Sequence, residues 1–167
     1  MSDFRPDEIL RVLHEHRVRF VLIGGLAATL HGAAHPTFDV DITPDDSPAN
    51  MKRLSAALRA LRARIRVDGI PGGLPFDHDA ACLARMMNLN LVTRAGDLDI
   101  AMHPTGVETF KAWDAHATDL VALGVAVRVA ALDDIIRSKE AAGRQKVLVT
   151  LPLLRALRAR LGSRTKR

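Results

Sequence analysis

The chain has 167 residues, 48% of them hydrophobic, which suffices for one domain with a real core and rarely for two. Its net charge of +5 favours polyanionic partners, whereas an aromatic content of 4% with no tyrosine argues against recognition by base stacking. The single cysteine, Cys82, excludes an intramolecular disulfide and argues against a cysteine-based metal site; the apolar runs at 20 to 23 and 89 to 92 are too short to span a membrane, and no secretory pattern opens the chain, so a reducing cytoplasm is expected.

In chain order, Pro6 with Ile9, Leu10 and Leu13 predicts a short amphipathic helix ending near His16. Phe20, Val21, Leu22 and Ile23 predict a buried strand stopped by Gly24 and Gly25. Residues 26 to 31 have helical composition, 33 to 36 read as a loop, and 37 to 42 alternate polar and apolar as a second strand stopped by Pro44. Ser47 and Pro48 start a helix with Met51, Leu54, Leu58 and Leu61 on one face, and the glycine- and proline-rich segment 68 to 75 reads as a loop. Residues 88 to 93 and 97 to 102 predict a hairpin around Arg94, Ala95 and Gly96. Residues 107 to 115 read as helical, with Trp113 in the packing; 120 to 129 hold strand pieces broken at Gly124; 132 to 142 form a helix stopped by Gly143. Thr150 and Pro152 start a last helix that lays Leu153, Leu154, Leu157 and Leu161 on the body. The domain is thus expected over 1 to 161, with a basic disordered tail at 162 to 167.

The chemistry concentrates in two acidic strands. Residues two apart in a strand share a face, so Asp39 and Asp41 stand side by side, with Phe38, Val40 and Ile42 turned the other way into the core. Two like charges held together need compensation from a metal, an arginine or water, and hard carboxylate oxygens select magnesium or manganese. The run Asp97-Leu98-Asp99-Ile100 repeats the pattern, and Asp99, framed as Asp41 is, is the expected third ligand of a two-metal site; Asp97 is the alternative, or a turn residue beside Gly96. Gly24 and Gly25, between a strand and a helix, allow a triphosphate to approach backbone amides, or serve only as a turn. The arginine runs at 52 to 66 and 155 to 167 suit RNA phosphates, or simply solvate helix faces. The scattered histidines show no metal spacing, and Met86 and Met87 read as core filler.

Gly24-Gly25, Thr37, Asp39-Val40-Asp41-Ile42 and a separate acidic strand at Asp99 resemble the signature of the DNA polymerase β-like nucleotidyltransferases. With Thr93, Gly96, Pro104, Arg137-Ser138-Lys139 and Gly143-Arg144 added, the chain resembles the AbiEii-like branch, which includes toxins of toxin–antitoxin systems. The resemblance implies an α+β nucleotidyltransferase fold with a mixed sheet flanked by helices and a nucleoside triphosphate on the glycine turn. It also implies Mg2+ or Mn2+ on Asp39, Asp41 and Asp99, with Lys139 reaching the triphosphate and Arg144 supporting it. Two positions depart from the family pattern: His35 stands where arginine is frequent, and Val147 where an aspartate is frequent. The expected activity is transfer of a nucleoside monophosphate to an RNA end, tRNA first, under control of a cognate antitoxin protein. Transfer onto a protein hydroxyl and a catalytically lapsed nucleotide-binding module are the alternatives.

Overall fold

The protein is described here by a computed structural model covering residues 3 to 164, apart from the side chains of residues 146 and 148. In chain order the elements are α1 (Pro6–Glu15), β1 (Phe20–Ile23), α2 (Gly24–Leu30), β2 (Asp39–Pro44), α3 (Pro48–Ala60), β3 (Arg64–Val67), β4 (Ile70–Leu74), α4 (Ala80–Leu83), β5 (Asn88–Thr93), β6 (Gly96–Ala101), α5 (Phe110–His116), β7 (Thr118–Ala122), β8 (Val125–Val129), α6 (Leu132–Ala142) and α7 (Gln145–Arg164). All strands join one mixed sheet in the order β4-β3-β5-β6-β2-β1-β8-β7. The β1–β8 and β2–β6 pairs are parallel and the others antiparallel. This is the α+β architecture expected, a mixed sheet flanked by helices. Among the described residues, no helix is long and apolar enough to cross a membrane.

The core forms because alternation in the central strands sends Val40, Ile42, Leu98 and Ile100 to one side, where they are almost fully buried. Helix α1 closes over this side with Ile9, Leu10 and Leu13, and α3 joins it with Met51, Leu54 and Leu58. Each such side chain stabilises the fold by roughly 1.5–3 kcal/mol relative to exposure. The opposite residues of the same strands, Asp39, Asp41, Asp97 and Asp99, are left half-buried on the other side, where α2 packs on β1 and β2 and touches α6. Dense packing on one face thereby makes a rigid support for charge on the other.

Several elements differ from expectation. The segment read as a loop at 68 to 75 contains β4, paired with β3 through a register shift between Ile65 and Val67. Glycine and proline disguise it because it is an edge strand, where a missing donor costs little. Phe38 precedes β2 and is 74% exposed rather than in the core, because the strand starts at Asp39. Met87 is also exposed, at 58%. Helix α7 starts at Gln145 and carries Pro152 in its interior; Leu151, Leu154 and Leu157 bury against the body and offset the lost hydrogen bond, while Leu153 turns outward at 54% exposure. The helix continues through Gly162 to Arg164, and residues 165 to 167 of the expected tail lie outside the described residues.

Candidate active site

The parallel pairing of β2 with β6 sets Asp39 opposite Asp97 and Asp41 opposite Asp99. On the far side of β6, Asn90 of β5 is the partner of Asp99, and β3 pairs with β5 at Ile65 and Leu91, so that one more step along the register sets Arg66 beside Asn90. A single row thus crosses four strands as Arg66, Asn90, Asp99 and Asp41, all on one face because paired residues in a sheet share a side.

Carboxylate oxygens of Asp39, Asp41 and Asp99 lie within 4.8 Å of one another. Burial, and then the neighbouring charges of Asp39 and Asp99, push the Asp41 carboxyl up to about 7. Lys139 and a backbone N–H donated by Gly25 oppose that rise without cancelling it. Burial raises Asp99 as well, but the Arg66 guanidinium opposes the shift directly. Three carboxylates this close, one of them favouring its proton near neutral pH, form an oxygen-rich cluster in which a hard divalent cation would replace the missing positive charge.

The glycine turn is shaped around this cluster. Gly24 has φ of +68°, and a Cβ built on it would lie 2.1 Å from Asp41 Oδ2. A Cβ on Gly25 would come within 2.9 Å of Thr37 Oγ1. Thr37 in turn donates its hydroxyl to Asp39 Oδ1 at 3.1 Å. The two glycines form the first turn of α2, so their close approach to the carboxylates is a packing requirement as well as a source of free amide donors.

Helix α6 forms the opposite wall. Asp134, almost fully buried in its first turn, accepts from His116 Nδ1 of α5 at 2.9 Å and from Arg137 Nη1 at 3.0 Å. Gly106, at φ of +84°, lets the loop after β6 press on the same helix, since a Cβ there would meet Ala141 Cβ at 2.7 Å. So held, α6 brings Ser138 and Lys139 into a cleft of about 450 Å³ that is also lined by Gly24, Gly25, Asp41 and Asp99. Arg144 and Val147 line it at the start of the last helix, and Asn88 and Asn90 at its β5 edge.

Every predicted site residue except Thr37 and Asp39 therefore borders the cleft, and these two join it through the carboxylate cluster. His35 is exposed, and its carbonyl accepts from Thr29. Asp97 is held by Arg66 Nη1 at 2.7 Å, and the same guanidinium places Nη2 at 2.8 and 3.0 Å from the two oxygens of Asp99. In the sequence Arg66 stands only within a basic run; its one signal is the alternation of Arg64 and Arg66 about Ile65 in a strand of four residues. Asn88 and Asn90 carried a clearer signal, alternating with buried Leu89 and Leu91.

No family model matches the sequence, and no curated protein matches it. Similar solved structures share the fold at low identity. The lincosamide antibiotic adenylyltransferase LnuA, determined with lincomycin, superposes with a TM-score of 0.59 at 12% identity, covering 94% of this chain and 99% of LnuA. A Thermotoga maritima protein provisionally named a nucleotidyltransferase gives 0.57 at 16% identity over 89% of this chain and 92% of its own. The antibiotic-resistance factor ANT(2'')-Ia in solution gives 0.52 at 17% identity over 95% and 90%. The chain accordingly has the nucleotidyltransferase fold over nearly its whole length.

Proposed function

We infer that this protein is a nucleotidyltransferase that moves a nucleoside monophosphate from a nucleoside triphosphate to a hydroxyl, with an RNA end, tRNA first, as the acceptor. The observation that carries the reading is the meeting of Asp39, Asp41 and Asp99 within 4.8 Å, beside a glycine turn and across a cleft from Lys139. Asp39, Asp41 and Asp99 would hold magnesium or manganese, which when bound neutralises charge on the triphosphate and on the departing pyrophosphate. The first-turn amides of α2 and the cations of Lys139 and Arg144 bind phosphate oxygens. Asp99 orients the acceptor hydroxyl and takes its proton as the new oxygen–phosphorus bond forms at the α-phosphate and the bond to pyrophosphate breaks.

The RNA acceptor is supported by exposed Arg160 and Arg164 on α7 and by Arg144 in the cleft; Arg155 and Arg158 are drawn into ion pairs with Glu140 and Asp133. The AbiEii-like motifs support a role as the toxin of a toxin–antitoxin pair, acting in the cytoplasm with Cys82 as a free thiol. A second reading, transfer to a small-molecule hydroxyl, is favoured by the fold shared with LnuA and ANT(2'')-Ia, which are described with antibiotics. Val147, apolar at the cleft wall, is the observation behind the alternative of a lapsed nucleotide-binding module. The test incubates the protein with α-labelled nucleoside triphosphates, Mg2+ and either total tRNA or a panel of hydroxylated small molecules. Label on tRNA that disappears with Asp41→Ala is the expected result; label only on small molecules replaces the acceptor, and label that survives Asp41→Ala removes the site.

A further inference from the structure

We propose that Arg66 is a positioning residue that competes with a divalent cation for the third carboxylate, Asp99, and keeps its hold on Asp97 when it lets Asp99 go. The inference rests on reading the carboxylate cluster as a metal site and extends it to a residue outside that cluster.

Arg66 reaches across β5 from β3, the strand next to the sheet edge, and touches two acidic residues at once. Its Nη2 engages both oxygens of Asp99, at 2.8 and 3.0 Å, so no oxygen of Asp99 is left without the guanidinium's charge. Its Nη1 holds Asp97 Oδ2 at 2.7 Å. Because Asp97 and Asp99 are two apart on one strand face, a planar fork can span them, and letting go of one leaves the other as an anchor. Among the described residues no arginine is bonded to Asp41, next in the row: Lys139 acts on it by charge, and Gly25 by one amide. The cluster is therefore asymmetric, with one side already holding a cation that the protein itself provides.

The backbone explains how the arginine can move. Arg66 sits within the register shift between Ile65 and Val67, where the β3–β4 ladder is interrupted. An interrupted ladder re-aims a side chain and leaves it less constrained than its neighbours. Arg64, one step inside the paired region, instead spends its guanidinium on the Gly73 carbonyl at 3.1 and 3.2 Å. Two arginines of one strand thus have different duties: Arg64 fastens the hairpin, and Arg66 answers to the acidic cluster.

Arg66 competes with a metal ion for Asp99, so its removal strengthens metal binding without nucleotide. The test titrates the full chain with Mn2+ alone, following free Mn2+ by electron paramagnetic resonance, for wild type and for Arg66→Gln, Arg66→Lys, Arg64→Gln and Asp41→Asn, each verified as folded by circular dichroism. The expected result is roughly two- to fivefold tighter Mn2+ binding by Arg66→Gln, the range for losing one partly exposed ion pair. Arg66→Lys is expected between wild type and Arg66→Gln, because lysine keeps the charge and loses the fork. Arg64→Gln removes an equal charge from the same strand and is expected to stay within about twofold of wild type, since distant exposed charges are screened. An equal gain in Arg64→Gln, or no gain or a loss in Arg66→Gln, overturns the proposal. If Asp41→Asn abolishes binding while Arg66→Gln gains nothing, Arg66 loses its role and the metal site stands. If Asp41→Asn binds as wild type does, or no form binds Mn2+, the functional reading falls together with it.

Discussion

Asp41 and Asp99 are partners in one parallel pair, yet the protein treats them differently. Asp41 lies against the glycine turn, packed so closely that Gly24 has no room for a methyl group, and among the described residues it is compensated by Lys139 across the cleft and one amide. Asp99 opens toward the hairpin edge and is met by a guanidinium fork. The lesson is that a charge cluster can be rigid on one side and exchangeable on the other. On the proposed function, the glycine side would receive the ion and the triphosphate, and the hairpin side, with Asn88 and Asn90, whatever presents the hydroxyl.

Breaking the rigid side should give the largest effect. Asp41→Asn is expected to reduce labelled-nucleotide transfer by about 10³-fold, the scale for losing a group that organises transition-state charge. The same variant should melt higher than wild type at pH 8 in the absence of metal, because it removes a charge the site cannot compensate. Gly24→Ala attacks the packing and the backbone at once, and a loss of roughly 2–3 kcal/mol in urea unfolding is expected. Gly25→Ala should cost less, because the Thr37 hydroxyl it meets can rotate away. Equal costs for the two would mean that Asp41 is not packed against Gly24 as described. Lys139→Met is expected to weaken triphosphate binding about 10- to 50-fold by calorimetry, in line with a lost charge-assisted contact, and to leave Mn2+ affinity much less affected.

The remaining prediction concerns pH. A carboxyl raised to about 7 in the folded chain binds its proton more tightly there than in the unfolded chain. Its contribution to stability is therefore complete below pH 4 and is lost as the pH rises toward and through 7, by at most about 1.4 kcal/mol per unit. Asp99 adds in the same direction, with Arg66 opposing it. Thermal melts of the metal-free protein should fall over that interval relative to Asp41→Asn, and Mg2+ should restore the loss at pH 8 but have little effect at pH 5. Parallel curves for the two proteins would show that Asp41 is an ordinary carboxylate.

The acidic strands were legible because period-two alternation is a local signal: Val40 and Ile42 must go inward, so Asp39 and Asp41 must go outward. That Asp99 would arrive beside Asp41 was not local, since it depends on a parallel pairing between segments far apart; the repeated framing by Leu98 and Ile100 suggested it, and the family resemblance agreed. Lys139 and Arg144 were likewise placed by resemblance, as a helix lysine carries no mark of the cleft it faces. Phe38 was misplaced because alternation was carried one residue beyond the strand. Arg66 was missed for a different reason: the register shift that aims it and the glycines of β4 both weaken the strand pattern, so the feature that gives the residue its reach also hid it. Pro152 misled in the same way, since tertiary burial of Leu151 and Leu154 outweighed a local rule about where helices start.

The parallel junction of β2 with β6 also dictates when the molecule becomes competent. A chain emerging from the ribosome presents Asp39 and Asp41 early, but α3, the β3–β4 hairpin and β5 must all be laid down before Asp99 can dock beside them, and Lys139 follows later still. A nascent fragment ending short of residue 99 holds only part of the carboxylate cluster and lacks Lys139. On the proposed function, synthesis order alone would then postpone nucleotide transfer until most of the polypeptide has been made.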